Sequence, residues 1–182
     1  MGGEDIGIIA PYKSQINLLT RLIKKDDEVR EHFMDNLGDR AMEVADIEIK
    51  TVDGFEGREK EAIIFSTVRN NQSGHIGFLA DRRRLNVGLT RAKRALFVVG
   101  SMSTLEKGRY GVRSSSIDDE PERDVQRAGR GALAWRNYTQ HLAEQNLIVR
   151  LRGSELVRVL KPYTSFATRA LEYFDQSNVH RH

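Results

Sequence analysis

The sequence predicts an α/β domain in which a mainly parallel sheet is flanked by helices. Short apolar segments recur through the first hundred residues, and segments with apolar residues at helical spacing lie between them. Alternation of strand and helix is typical of parallel sheets, because each strand must be reached by a crossover. The predicted strands are 6–10, 47–51, 62–68 and 95–99.

The predicted helices follow from apolar spacing. Residues 13–25 place Ile16, Leu19, Leu22 and Ile23 at helical intervals after Pro11 has ended the first strand. Residues 26–46 are polar, which predicts irregular structure with one short helix over 29–34. Helical spacing over 81–93 predicts a second long helix, with Leu85, Leu89 and Ala92 on one side.

The character of the chain changes after Gly100. Residues 107–131 are rich in glycine, arginine, serine and acidic residues, which predicts an exposed, mobile insertion. Helical spacing resumes over 133–145, and 147–151 is a candidate strand. The last segment, 154–182, is predicted to be a C-terminal helical extension from the spacing of Phe166, Ala170, Leu171 and Phe174.

Composition limits the class of protein. Of the 182 residues, 39% are hydrophobic and 30% are charged, and the apolar runs are strand-sized, so no membrane partner is expected. Cysteine is absent, which excludes disulfides and thiolate zinc sites and favours an intracellular protein. The net charge of +3 is weak evidence for a nucleic-acid partner, but the cluster of basic residues over 82–94 is stronger evidence.

Three segments combine polar residues with the end of a strand or the start of a helix: 8–15, 51–61 and 83–93. Ligands of open parallel sheets bind at the carboxyl ends of the strands. The first segment alone favours ordinary packing of Tyr12 and solvation of Gln15. The second joins a hydroxyl, two glycines and several charges in a loop, and glycines let backbone amides approach a phosphate or a ribose.

The third segment is the most basic. Arg84 and Arg91 are seven residues apart, so on one helix they would lie near the same face. A guanidinium fork is well suited to phosphate oxygens. From this segment alone, phosphate binding and a solvated helix face are equally open.

Together and in this order, the three segments resemble motifs IV, V and VI of superfamily 1B RNA/DNA helicases, in the group that contains the nonsense-mediated-decay helicase and senataxin. Residues 52–61 resemble motif V, and 83–93 with the strand at 95–100 resemble motif VI. The residues around motif VI are more similar to the senataxin-like branch than to viral or bacterial branches. The resemblance covers about residues 6–106 and resumes at 134–138. It implies the C-terminal (second) RecA-like motor domain, of the P-loop NTPase type.

The resemblance also implies a domain map. Residues 1–106 would form the second RecA-like domain, 107–131 an insertion, and 132–153 the closing helix and strand of the same domain. The extension at 154–182 has no counterpart in the motifs and is a candidate contact for a protein partner.

Site roles are carried over from the family position by position. Arg91 would be the catalytic arginine finger that reaches the γ-phosphate of ATP. Gly57 and Glu59 would line the nucleotide, with Glu59 bonding the ribose. The residues implied to serve the nucleic-acid surface are Pro11, Tyr12, Thr51 and Val52, together with Arg84 and Asn86, which would also brace motif V. Glu56 departs from the family, which usually has glutamine there.

The phosphate cradle is missing from this sequence. No Gly-x-x-x-x-Gly-Lys-Ser/Thr segment and no acidic strand-end motif for magnesium occurs, and no metal site is predicted. ATP and Mg²⁺ are therefore expected to be bound mainly by a first RecA-like domain. The implied partners are that domain and single-stranded RNA or DNA, and the nucleus is favoured over the cytoplasm.

Two other interpretations stay open at this point. A degenerate RecA-like module that only binds RNA or a protein would also fit, and Glu56 keeps it open, whereas Arg91 and Glu59 oppose it. An independent phosphate-binding α/β enzyme is a third interpretation. No nucleophile–base pair supports it, because the five histidines are scattered.

Overall fold

A computed structural model describes residues 1–109 and 121–151, with side chains in the second range described from residue 130. It has a four-stranded, wholly parallel sheet in the order β2-β1-β3-β4. The strands are β1 (Ile6–Ala10), β2 (Glu48–Thr51), β3 (Lys60–Ser66) and β4 (Ala92–Val99). The predicted parallel α/β fold is therefore confirmed. The predicted extension at 154–182 lies outside the described residues.

Five α-helices occur in the described part of the chain: α1 (Lys13–Lys25), α2 (Asp27–Leu37), α3 (Arg82–Leu89), α4 (Met102–Lys107) and α5 (Pro121–Glu144). Short 3-10 turns cover Gly3–Asp5, Gly38–Asp46, Asp53–Phe55 and Gly77–Ala80. None of the described helices is long and apolar enough to cross a membrane.

The chain divides into two compact units. The first comprises Met1–Ile16 and Asp46–Ile148 and contains the sheet. Of the described residues, the second comprises Asn17–Ala45 and 149–151. In the second unit α2 begins at the N-cap Asp26, whose carboxylate accepts from the amide of Val29, and Lys24 donates to the carbonyl of Ala45 at 2.6 Å.

Several predicted elements need correction. The helix expected over 81–93 ends at Leu89, and β4 begins at Ala92 rather than at residue 95, because Ala92 pairs with Lys60 of β3. Residues 26–46 are helical or 3-10 almost throughout. Helix α5 begins at Pro121, inside the segment 107–131 that was expected to be irregular, and 147–151 is not a strand.

The core of the first unit lies on one face of the sheet. Trp135 of α5 is fully buried, and its indole nitrogen donates to the carbonyl of Leu79 at 2.9 Å, which ties α5 to the 3-10 turn Gly77–Ala80. Gly88 lets α3 lie directly on the ring of Phe65, because a Cβ at residue 88 would clash with that ring. Other buried members of the core are Ile9, Val52, Phe55, Ile63, Ile76 and Leu85.

The connection from β2 to β3 is unusually short. It consists of residues 52–59, whereas crossovers between parallel strands usually need about a dozen residues or more. It must also pass β1, which lies between the two strands. Fully buried Phe55 seats the connection on Gly7 of β1, where a Cβ would lie 2.6 Å from the Phe55 ring.

We expect Gly7→Ala to destabilise the chain by about 1–3 kcal/mol, the usual cost of overpacking a closed core. The added methyl would lie 2.6 Å from Phe55 and 2.7 Å from Ile63, so the crossover must shift. Urea unfolding followed by the fluorescence of Trp135 measures the loss. Gly54→Ala is the matched control, because a Cβ there would lie 3.3 Å from Lys50 Cβ and from the Thr51 hydroxyl, so shifts of a few tenths of an ångström would accommodate it. Equal stability of the two variants would contradict this packing.

Candidate nucleotide and nucleic-acid site

The structure distributes the predicted site residues over two edges of the sheet. Thr51 ends β2, and Pro11 and Tyr12 follow β1, so these three lie at the carboxyl edge. Glu59 precedes β3 and Arg91 precedes β4, so both lie at the opposite, amino edge. The rule that ligands gather at carboxyl ends therefore locates only part of the candidate site.

Arg91 occupies the turn between α3 and β4. It is not on the helix with Arg84, so the shared helix face inferred from their spacing is wrong. Helix α3 ends at Leu89 and is C-capped by Thr90, whose amide and hydroxyl both donate to the carbonyl of Asn86, at 3.1 and 2.7 Å. The carbonyl of Arg91 then accepts from the amide of Lys60 at 3.1 Å, which fixes Arg91 beside the start of β3.

The side chain of Arg91 lacks a carboxylate partner among the described residues. Within the described residues, its side chain makes one hydrogen bond, a donation from Nη2 to the hydroxyl of Thr90 at 3.1 Å, and its Nε is buried without a partner. Its basic neighbours differ, since Lys93 and Arg94 both contact Glu61. Because no carboxylate among the described residues neutralises the guanidinium, its terminal amino groups can donate to an anion.

Gly57 and Glu59 lie in the crossover on the approach to the same edge. Gly57 has a φ of +73°, with open space where a Cβ would stand, so backbone conformation is what favours glycine there. Gly57, Glu59 and Glu56 are all exposed. Exposed amides and a free carboxylate beside Arg91 can contact a phosphate and a sugar hydroxyl, respectively.

Glu48 organises the amino edge next to these residues. Its carboxylate contacts Lys50 at 2.9 Å, Arg58 at 2.7 Å and Lys60 at 3.3 Å, and Lys60 also donates to the carbonyl of Glu4 at 2.6 Å. The hydrogen bond from Lys50 lowers the pKa of Glu48 most, with further lowering by Lys60 and Arg58, and burial opposes it. Sequence analysis did not single out Glu48, because its cations converge only in the fold.

Arg84 joins α3 to the crossover. Its Nε and Nη2 donate to the two oxygens of Asp53 at 3.2 and 3.4 Å, and the guanidinium lies over the Phe78 ring at 3.9 Å. Asp81 caps the helix by accepting from the amides of Arg83 and Arg84. Arg84 therefore contacts the crossover through Asp53, while Asn86 is exposed and its side chain makes no hydrogen bond within the described part of the chain.

The carboxyl edge carries the remaining predicted residues. Thr51 accepts from the amide of Gly54 at 3.2 Å and so closes the turn that starts the crossover. Pro11 and Val52 are buried, so neither offers an exposed side chain to a ligand. Tyr12 is half-buried, and its hydroxyl accepts from Nε of Arg69 at 2.8 Å. Sequence analysis missed Arg69, whose only local signal is a cation soon after a strand.

The parallel sheet and the loops at its two edges define an α/β domain of the RecA-like type. Residues 2–103 match the AAA domain family, and the chain therefore belongs to that family. Similar proteins are named as helicases. They include the DNA polymerase alpha-associated DNA helicase A of Saccharomyces cerevisiae, 42% identical over 67% of this chain, and Helicase sen1 of Schizosaccharomyces pombe, 45% identical over 66%.

A third relative is the putative ATP-dependent RNA helicase ECM32 of Saccharomyces cerevisiae, which is 34% identical over 80% of this chain. The chain spans only 16%, 6% and 13% of the lengths of these three relatives, in the order given. Similarity to them therefore concerns one domain-sized part of much longer proteins.

We expect Glu48→Gln to lower stability at neutral pH and to lose this effect in acid. Because folding lowers the pKa of Glu48, its contribution is complete above the unfolded value of about 4.3 and disappears as pH falls through the folded value. Urea midpoints of parent and variant between neutral and acidic pH measure the difference. In a Lys50→Met background the gap should shrink. A gap that stays constant with pH would contradict this assignment.

Proposed function

We propose that this chain is the second, C-terminal RecA-like motor domain of an ATP-dependent RNA/DNA helicase of superfamily 1B, in the nonsense-mediated-decay helicase and senataxin-like group. Membership of the AAA domain family and similarity to several helicases support the class. Residues 1–106 and 132–153 would form the motor domain. Its nucleotide would lie between this domain and a first RecA-like domain.

The observation that carries this proposal is the state of Arg91. Its carbonyl accepts from the amide of Lys60 in β3, and its guanidinium contacts no carboxylate among the described residues, with the Thr90 hydroxyl as the partner of Nη2. Such an arginine is prepared for an anion supplied by another domain. The planar fork can donate to two phosphate oxygens at once, and it keeps its charge at any physiological pH.

The amino edge fits one side of a bound nucleotide. ATP with Mg²⁺ would supply the phosphoryl group that is transferred to water. Exposed amides around Gly57 would approach the phosphates, and the exposed carboxylate of Glu59 would accept from a ribose hydroxyl. Arg91 would stabilise the negative charge that develops on the phosphoryl oxygens.

The described residues offer no site for magnesium, and the sequence offers no phosphate cradle. The described residues contain no group of three or more His, Asp or Glu that could hold a metal ion, and the whole sequence lacks the Gly-Lys-Ser/Thr cradle. We therefore assign both to the first RecA-like domain, and the present chain contributes no step through the metal.

The carboxyl edge fits a single strand of RNA or DNA. Tyr12 offers a half-buried ring and Thr51 lies partly exposed at the end of the neighbouring strand, whereas Pro11 and Val52 are buried and would act by positioning these two residues. Arg84 links this edge to the crossover through Asp53. The nucleotide surface and the single-strand surface thus share the crossover. Closure of the two motor domains on the nucleotide would then change the contacts with the single strand.

We expect the purified 182-residue chain to show no ATPase activity and only feeble ATP binding, because it lacks the phosphate cradle. Nucleic-acid binding should also be weak, since half of the track would be absent. Phosphate release measures the ATPase activity, and nucleotide titration measures the ATP binding. Robust hydrolysis stimulated by RNA would overturn the half-site proposal.

In the complete two-domain protein, Arg91→Ala should lower kcat by about 10³–10⁵-fold, the usual contribution of an arginine finger. ATP and single-strand affinities should fall only modestly, because the charge acts mainly on the transition state. Arg91→Lys should restore little, since an ammonium cannot reproduce the fork. Steady-state ATPase with RNA present, together with nucleotide affinity, gives the comparison.

Arg82→Ala is the matched control, because Arg82 is exposed and makes no ion pair with any residue that the structure describes. Its turnover should stay near that of the parent. If Arg91→Ala hydrolyses ATP within a few-fold of the parent, Arg91 is not the finger. A parent that binds RNA but hydrolyses no ATP would instead indicate a module that only binds.

A further inference from the structure

A strained turn follows β3 at the carboxyl edge. The amide of Arg69 donates to the carbonyl of Thr67 at 2.7 Å and closes a three-residue turn. Val68, at its centre, has a φ of +64°. A β-branched residue rarely adopts positive φ, and such conformations persist where surrounding contacts enforce them, often at binding sites. The strained turn places Arg69 at the carboxyl edge, so Arg69 is the candidate for binding a ligand there.

Arg69 is held in one orientation by Tyr12. Its Nε donates to the Tyr12 hydroxyl at 2.8 Å, and its guanidinium carbon lies 5.1 Å from the ring centroid. Gly77 leaves room for this pair, because a Cβ there would lie 2.9 Å from Nη2 of Arg69 and 3.3 Å from the Tyr12 hydroxyl. Tyr12 and Gly77 thus hold the Arg69 side chain in place at the carboxyl edge.

The charge of Arg69 is not neutralised by its surroundings. Within residues 1–109 and 130–151, Arg69 makes no ion pair, whereas Arg84 contacts Asp53 and Arg94 contacts Glu61. Only its Nε donates to another described side chain, so the terminal amino groups remain for a ligand. A preoriented guanidinium without a carboxylate is suited to a phosphate.

We propose that Arg69 binds a backbone phosphate of the single strand, with Tyr12 as the residue that orients it. This inference rests on the proposed function, which places a strand at the carboxyl edge. The nearby end of β2 at Thr51 lies on the same edge, so one strand can contact Thr51, Tyr12 and Arg69. The same chemistry could serve a phosphate of the nucleotide, and the experiment separates the two sources.

The test uses the full-length protein and a fluorescently labelled oligouridine, with anisotropy measured over a series of salt concentrations. Each phosphate neutralised on a single strand contributes about −0.7 to the slope of log K against log salt. Arg69→Gln should therefore make the slope shallower by about 0.7 and weaken binding several-fold. Arg69→Lys should keep the slope of the parent while recovering only part of the affinity.

Two further variants keep the result interpretable. Arg69→Met also removes the charge, and its apolar stem can still pack on Tyr12, so it replaces Arg69→Gln if that variant melts early. Arg136→Gln is the charge-matched control, because Arg136 is an exposed residue of α5 that forms no ion pair within 1–109 and 130–151. It should leave the slope unchanged.

An unchanged slope in both charge-removing variants overturns the inference, even if affinity falls, because Arg69 would then act only on structure. A raised KM for ATP with an unchanged slope also overturns it and assigns the phosphate to the nucleotide. In either case the parent still binds the strand, so the proposed function stands. A parent that fails to bind oligouridine removes the proposed function and this inference together.

Discussion

The arrangement of the site depends on the packing of Phe55 against Gly7. A connection of residues 52–59 must pass over β1 to join β2 to β3, and it can do so closely only where β1 has no side chain. Burial of Phe55 and Val52 then fixes both ends of the turn. Because Thr51 lies before this turn and Glu59 after it, the same contact positions residues at both edges of the sheet.

The second constraint is the approach of α3 to the sheet. Gly88 allows the helix to lie on Phe65, and the helix in turn holds Arg84 against Asp53 of the crossover. Because the helix is capped at Thr90, Arg91 lies at the amino edge, where its carbonyl accepts from the Lys60 amide. Two glycines therefore set the relative positions of the loop and the helix that would face the nucleotide. Exposed ion pairs such as Arg84–Asp53 add modest energy, and their main effect is orientation.

The sequence predicted what local signals control. Strand β1 and helix α1 were predicted with the observed limits, because Pro11 separates them and the apolar spacing of α1 is regular. The end of α3 was wrong, since Leu85, Leu89 and Ala92 continue a helical pattern although Ala92 pairs with distant Lys60. The early start of α5 lay in a polar segment that apolar spacing could not detect.

The site was predictable only in part for the same reason. Family motifs identified Arg91 and the crossover, and the structure shows that Arg84 contacts the crossover. The cations around Glu48 and the Arg69–Tyr12 pair join residues far apart in the chain, so no local pattern indicates them. The unpaired Nε of Arg91 is likewise a property of the fold and not of the motif.

We propose that Arg91 contacts no carboxylate among the described residues because its partner is a phosphate held by another domain. A crystal structure of the full-length protein with ADP, aluminium fluoride and a single strand tests it most directly. The account predicts a guanidinium nitrogen of Arg91 within about 3 Å of the phosphate mimic, with the crossover still seated on Gly7. Arg91 turned away from the nucleotide, with a different arginine at the phosphate mimic, would contradict it.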